Sequence, residues 1–413
     1  MSDKPVKPQT LIFSKGYDPH LSEGAAFPPV FRTSTFLFKN ALEGKRAFEI
    51  AYGLRQKDPG EIPALIYTRV NNPNAEMVED RVVAWDGYEA AALFGSGMGA
   101  ISSTCLTFLR PGDTLLFSDP VYGGTEALFR HVLPMFNIKC VPFPANSNRA
   151  QIEEIAKNEK NVRVLYMESP ANPTIVLTDL EAGRQVADQL STPEKRCLFM
   201  VDNTFMGPVL SQPKTFGADI VLYSATKFIG GHSDLIAGVA MASRVLIDLV
   251  KVTRTLLGSI CDPDTAWLIL RSLGTLQLRM EKQQENAKKI VDLLRGHPKV
   301  ACLAYPGLPE MGDQQVALFR KQCKGPGSLI SFCVKGGEKE AFKLLDTVRE
   351  YKLAVSLGGI ETLIEHPATM THSDMTKDEQ KKAGITENMI RISVGLEDPD
   401  DLVEDMKRAL AVV

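Results

Sequence analysis

Residues 220–234 read Ile220-Val221-Leu222-Tyr223-Ser224-Ala225-Thr226-Lys227-Phe228-Ile229-Gly230-Gly231-His232-Ser233-Asp234. Ile220-Val221-Leu222 enters as an apolar run, and Leu235-Ile236-Ala237-Gly238-Val239-Ala240 leaves as another. That pattern predicts two buried strands joined by a tight polar turn. The turn carries two hydroxyls and an ammonium: Ser224, Thr226 and Lys227. Hydroxyls beside a lysine can hold a phosphate and set an amine next to it. A desolvated lysine can also become a neutral nucleophile that forms an imine with an aldehyde. Phosphate and aldehyde on one molecule describe pyridoxal phosphate (PLP). A solvated surface charge is the ordinary alternative for any single lysine, so the reading depends on what surrounds this one.

Upstream, strand-like and helical runs alternate. Ala90-Ala91-Ala92-Leu93-Phe94 leads into Gly95-Ser96-Gly97-Met98-Gly99, a glycine turn that opens a helix and lets the backbone close on an anion. Thr114 to Phe117 precedes Asp119-Pro120-Val121-Tyr122. Val162 to Met167 precedes Glu168-Ser169-Pro170-Ala171-Asn172, and Cys197 to Val201 precedes Asp202. Such alternation, with near-continuous apolar strands, predicts an α/β fold with a parallel sheet covered on both faces. Ligands of these sheets bind beyond the carboxyl ends of strands. Tyr122, Glu168, Asn172, Asp202 and Lys227 all follow strand-like runs. Each alone reads equally well as a cap or turn residue; together they form one site.

Further out, residues 1–72 hold too little core to fold alone and read as an arm laid on something else, such as another subunit. Leu42 to Tyr52 forms a short helix in it. Tyr67 and Arg69 close it, a phenol and a guanidinium on one face; a strand edge before the Asn-Pro turn is the simpler reading. Residues 73–262 make the sheet domain. Asp262-Pro263 caps a long amphipathic helix that runs towards Gly296-His297-Pro298. Residues 263–413, with a strand at Leu329–Val334 and helices at Ala341–Tyr351 and Pro399–Ala411, read as a smaller α+β domain. Arg391 sits in its β-like stretch Met389 to Val394. A buried arginine needs an anion: either a structural carboxylate such as Glu397 or a substrate α-carboxylate.

Composition sets the bounds. The 413 residues are 44% hydrophobic and 23% charged, with net charge −3. Nothing here points to nucleic acid or an anionic membrane. No apolar run approaches the ~20 residues of a membrane-crossing helix, and Met1 to Pro8 lacks the apolar core of a signal peptide. Seven cysteines are scattered without metal-ligand spacing and read as buried or free thiols in a reducing cytoplasm. No metal site is expected.

Taken with YTR, SGM, VYGGT, ESPANPT, VDNTF, SATKFIGGHSD, SLGG-ETL-HPATMTH and RISVGLED, the chain resembles the γ-family of transsulfuration enzymes. The resemblance covers nearly the whole chain. It implies PLP as cofactor and the fold type I, transferase-like architecture: a mainly parallel seven-stranded sheet domain plus a smaller α+β domain. It implies that Lys227 forms the internal aldimine and shuttles protons, that Asp202 pairs with the pyridine nitrogen, and that Tyr122 stacks on the ring. Gly97, Met98, Ser224 and Thr226 would hold the phosphate, completed by Tyr67 and Arg69 of a neighbouring subunit. Asn172 would sit by the ring hydroxyl and, with Ser356 and Arg391, bind the substrate. The assembly implied is a homotetramer, a dimer of catalytic dimers.

The chemistry implied is γ-elimination on methionine or another O- or S-substituted homoserine. The alternative is γ-substitution on an acylhomoserine, as in cystathionine γ-synthases and sulfhydrylases. Cystathionine-using relatives usually carry glutamate where this chain has Val355; methionine γ-lyases often carry cysteine where it has Gly124. The segment from Phe48 to Ala64 is longer than typical. Its Glu49, Asp58 and Glu61 are either solvated or placed for a cationic γ-substituent, as in canavanine γ-lyases. A nicotinamide-dependent dehydrogenase built on Gly95, Gly97 and Gly99 is the reading from another class; its expected acidic residue falls at Asp113, which precedes its strand, or Asp119, which opens the Pro-Val-Tyr turn.

Overall fold

A computed structural model describes residues 6–58, 61–62, 64–193 and 195–413. Ile220–Ser224 forms a strand buried along almost its whole length, and six further strands complete its sheet. In chain order they are β1 (Ala90–Phe94), β2 (Thr114–Asp119), β3 (Lys139–Pro144), β4 (Val162–Glu168), β5 (Leu198–Asp202), β6 (Ile220–Ser224) and β7 (Gly238–Ala242). The spatial order is β1-β7-β6-β5-β4-β2-β3. Strands β2 to β6 pair in parallel; β7 runs antiparallel to both β6 and β1. Strand β7 can reverse because no crossover helix separates it from β6. It begins later than the apolar run suggests, at Gly238, where any Cβ would collide with the Ser96 carbonyl.

Separate apolar cores lie on the two faces of this sheet, as two-sided burial requires. Leu115, Phe117, Tyr166 and Leu222 belong to a cluster with helix Gly97–Phe108; Val221, Tyr223, Val239 and Met241 pack with helices Pro73–Asp86 and Pro263–Leu273. Asp262 caps the latter as expected, accepting the Thr265 N–H at 2.9 Å. The single long helix predicted from there is instead two. It breaks at Gly274-Thr275, and a second helix spans Leu276–Leu294. The apolar pattern runs through the break because Leu273 and Leu276 are both buried.

The second sheet contains β8 (Val300–Ala304), β9 (Leu329–Val334), β10 (Lys352–Leu353), β11 (Leu363–Glu365) and β12 (Met389–Ser393), in the order β10-β11-β12-β9-β8. On β12, Ile390 and Ile392 enter the apolar core with helices Leu276–Leu294 and Pro399–Leu410. Alternation sends Arg391 to the opposite face, toward the first sheet. Cys302 and Cys333 stand opposite each other on β8 and β9, Cα atoms 4.9 Å apart, and are joined as a disulfide. The expectation of thiols throughout therefore fails for this pair, which strand register brings together across 31 residues; the other five cysteines are free.

Candidate active site

Parallel strands end on one side, and their last residues converge there. Asp202 closes β5 and Glu168 closes β4, directly opposite each other in register. Asp202 is buried; its Oδ1 accepts the Thr204 N–H at 2.9 Å and its Oδ2 the Tyr166 hydroxyl at 3.3 Å. Glu168 receives the backbone N–H of Tyr122 on one oxygen, at 2.9 Å, and that of Asn172 on the other, at 3.1 Å. One carboxyl group therefore holds the two segments that follow β2 and β4. Glu168 is legible in the sequence as a strand-end residue, but its bonds to both segments are not.

Lys227 lies in the turn after β6. Its Nζ donates to the Ser356 hydroxyl at 2.7 Å. Burial lowers the Lys227 pKa to about 8, with Arg391 adding to the shift and Glu365 opposing it. The neutral, nucleophilic form is thereby brought within reach of neutral pH. Ser356 has φ +89°, a left-handed conformation that costs a serine about 1–3 kcal/mol. Two contacts hold it there: the Lys227 bond, and the Ser356 carbonyl accepting Arg391 Nη2 at 2.8 Å.

Arg391 also donates Nη1 to Asn172 Oδ1 at 2.8 Å and pairs with Glu365 Oε1 at 3.0 Å. Glu365 lies opposite it on β11. Glu397, the carboxylate proposed for Arg391, instead receives the Thr362 N–H and hydroxyl, both at 2.7 Å. Glu397 lies beyond the end of β12, whereas cross-strand register delivers Glu365.

Gly97 opens helix Gly97–Phe108, whose first turn Ser96 caps by accepting the Gly99 N–H at 2.9 Å. A Cβ on Gly97 would come within 2.9 Å of the Ser224 side chain, so only glycine lets this helix start approach the end of β6. Thr226 Oγ1 binds the Ala237 carbonyl and N–H, at 3.2 and 3.1 Å, which shapes the turn. Tyr122 stands half-exposed over Gly124, and Met98 lies against the same glycine.

Tyr67 and Arg69 take another place. Arg69 donates to the Thr255 carbonyl at 3.0 Å and sits over the Tyr67 ring, 5.8 Å from its centroid. Both are partly exposed, beside the end of helix Arg244–Leu257. In the arm, Arg55 pairs with Asp58 at 3.0 Å and with Glu61, and Lys45 faces Glu49 at 3.7 Å. Those carboxylates are met within the arm itself.

A buried, readily neutral lysine, a buried carboxylate, an aromatic ring and a helix start that faces a serine make a donor set suited to PLP. The sequence matches the family described as "Cys/Met metabolism PLP-dependent enzyme" over residues 9–411. The chain belongs to that family. Its relatives include the L-methionine gamma-lyase of Fusobacterium nucleatum subsp. polymorphum, 41% identical over 94% of each chain. The cystathionine gamma-lyase of Bacillus subtilis (strain 168) is 35% identical, covering 98% of this chain and 99% of its own. Among solved structures, cystathionine gamma synthase from Xanthomonas oryzae pv. oryzae, in complex with aminoacrylate and cysteine, superposes with a TM-score of 0.88 at 33% identity over 99% of both chains. The family confirms PLP as the cofactor of this α/β enzyme and sets aside the nicotinamide reading of the Gly95–Gly99 turn.

Proposed function

We propose that the protein is a γ-lyase that eliminates the γ-substituent of methionine or another O- or S-substituted homoserine. One observation carries the reading: the Lys227 amine and the Arg391 guanidinium meet on Ser356, through its hydroxyl at 2.7 Å and its carbonyl at 2.8 Å. An amine that can move protons and a receptor for a carboxylate, both on one residue, suit an α-amino acid. Val355, 52% exposed, precedes them and offers an aliphatic wall to the rest of the substrate. A distal ammonium, as in cystathionine, finds no carboxylate at that position.

PLP, when bound, supplies an electron sink for the substrate's α-carbon. The chain does the rest. Asp202 would hold the proton of the pyridine nitrogen. Gly97, Met98, Ser224 and Thr226 would hold the phosphate, with Tyr67 and Arg69 supplied by a second copy. Tyr122 would stack on the ring near the leaving group. Arg391, Ser356 and Asn172 orient the substrate, and Lys227 carries the α-proton and then the β-proton.

The reading includes a homotetramer in the cytoplasm. Val245, Leu249, Val252 and Leu256 form one exposed apolar face of helix Arg244–Leu257, beside Arg69. Such a stripe on a soluble protein calls for a partner surface. Five free thiols suit a reducing compartment, while the Cys302–Cys333 bond argues the other way.

Likeness to a cystathionine gamma synthase favours γ-substitution as the second reading. The test is product release from methionine, homocysteine, cystathionine, canavanine and acetyl- or succinyl-homoserine, each with and without cysteine. 2-Oxobutanoate from methionine without a thiol is the expected result. Silence until an acylhomoserine and a thiol are both present would establish the synthase instead.

A further inference from the structure

Among the described residues, three buried polar atoms near Arg391 have no hydrogen-bond partner: Nε of Arg391, Oε2 of Glu365 and Nε2 of His372. Their owners are linked. Glu365 Oε1 receives both Arg391 Nη1 and the Thr371 hydroxyl, each at 3.0 Å, and Thr371 Oγ1 contacts His372 Nδ1 at 3.0 Å. The Arg391 and Glu365 side chains are 2% and 1% exposed. Unpartnered polar atoms in such a place are costly, and a cluster of them marks where a ligand completes the bonding.

We propose that Glu365 makes carboxylate binding at Arg391 proton-linked: each substrate carboxylate that arrives brings one proton onto Glu365 Oε2. This rests on Arg391 being the carboxylate receptor. Arg391 and Glu365 together are neutral. A second carboxylate on the same guanidinium would leave a net negative charge where water is excluded, and two carboxylates in one buried site do not both ionise. A buffer acid or hydronium in solvent gives up its proton, its own O–H or N–H bond breaking as the O–H on Oε2 forms, and the new O–H gains the incoming carboxylate as acceptor. Arg391 meanwhile keeps Nη1 on Glu365 and Asn172 and offers its free Nε–H. The titratable groups facing Glu365 are Arg391 on β12, Lys227 after β6, His366 beside it and His372 across Thr371. Burial already holds the Glu365 carboxyl above its usual range, with Arg391 pulling the other way. Glu365 is thus a positioning and selectivity residue: it lets in an anion that arrives with a proton.

The test uses holoenzyme and butyrate, a carboxylate with no amine to react. Calorimetry in two buffers of different ionisation enthalpy reads proton uptake directly. Wild type is expected to take up about one proton per butyrate, its affinity falling about tenfold per pH unit above the Glu365 transition. Glu365→Gln is expected to take up none and to bind with a flat pH profile. No uptake by wild type, or equal uptake by both, overturns the proposal. Arg391→Met is run alongside. If it binds butyrate as wild type does, the receptor reading itself falls; if Arg391 is needed but no proton is taken up, only the proton link falls. Should Glu365→Gln not fold, difference infrared spectra of wild type with ¹³C-carboxyl butyrate decide the matter. A new buried carboxylic-acid C=O band supports the proposal, and its absence overturns it.

Discussion

Glu168 and Asp202 stand side by side at the ends of β4 and β5, two buried carboxyl groups in register. Burial raises both, and the Asp202 charge adds to the rise at Glu168, which is pushed up from 4.5 to about 8. A carboxyl raised in the folded state stabilises most below its unfolded value, and the contribution is lost as pH rises through the folded value. Stability of the wild type should therefore fall between pH 4.5 and about 8. Glu168→Gln should lose much of that slope in thermal unfolding across pH. It also turns an NH₂ toward one of two backbone N–H groups, which leaves a buried donor unpaired at a cost of about 1–3 kcal/mol. An unchanged pH slope in the variant would assign the titration elsewhere.

Lys227, lowered to about 8, sets a second pH dependence. Only the neutral amine attacks an aldehyde. Covalent capture of PLP by the cofactor-free protein should speed up with pH and level off above about 8, where an ordinary lysine would still be climbing. Stopped-flow absorbance follows it. Lys227→Ala should keep its circular dichroism spectrum yet show neither covalent capture nor turnover. Turnover in that variant would end the mechanism.

A Cβ on Gly124 would fall 2.7 Å from a Tyr122 ring carbon and 3.1 Å from the Met98 sulfur. The Tyr122 ring must move, and Met98 must give by a few tenths of an ångström, for any side chain to fit there. Gly124→Ala and Gly124→Cys are both expected to lower kcat by about tenfold, equivalent to about 1.4 kcal/mol of barrier. They should also change the visible circular dichroism of bound PLP. A loss in Cys without one in Ala would point to the thiol rather than to its volume.

The apolar face of helix Arg244–Leu257 gives a test of assembly. Leu249→Arg with Leu256→Arg should shift the light-scattering mass toward the monomer. PLP affinity and turnover should fall with it, because Tyr67 and Arg69 would no longer reach a neighbouring site. A monomer with full activity would mean that each chain completes its own phosphate pocket.

Much of this is legible in the sequence. Asp202 and Lys227 sit just past long apolar runs, and Tyr122 in the turn after one, so strand period alone places them on one edge of a sheet. Glu365 could not be found that way. Its strand, Leu363–Glu365, is too short to show a period, and Arg391 reaches it only through the register of β11 on β12. Glu397 looked the better partner because it is near in sequence, and nearness in sequence says little about facing across a sheet. The helix break at Gly274-Thr275 was hidden for a related reason: two successive helices that bury the same side continue one apolar pattern. Tyr67 and Arg69 are legible as a pair, but within the chain their side chains meet each other and the Thr255 carbonyl rather than Lys227.

Helix Leu276–Leu294 has a final consequence. Near its start, Arg279 grips the Phe228 carbonyl at 2.8 Å, one residue after Lys227. Further along, Gln283 holds the Gly359 carbonyl at 2.6 Å and Asn286 the Gly395 carbonyl at 3.1 Å, on the segments that carry Ser356 and Arg391. A single stiff rod thus works as a ruler between the Lys227 turn and the segments that carry Ser356 and Arg391. On the proposed reading, in which Lys227 and Arg391 serve one α-amino acid, homologues with an extra methylene between amine and carboxylate should be refused whatever their leaving group.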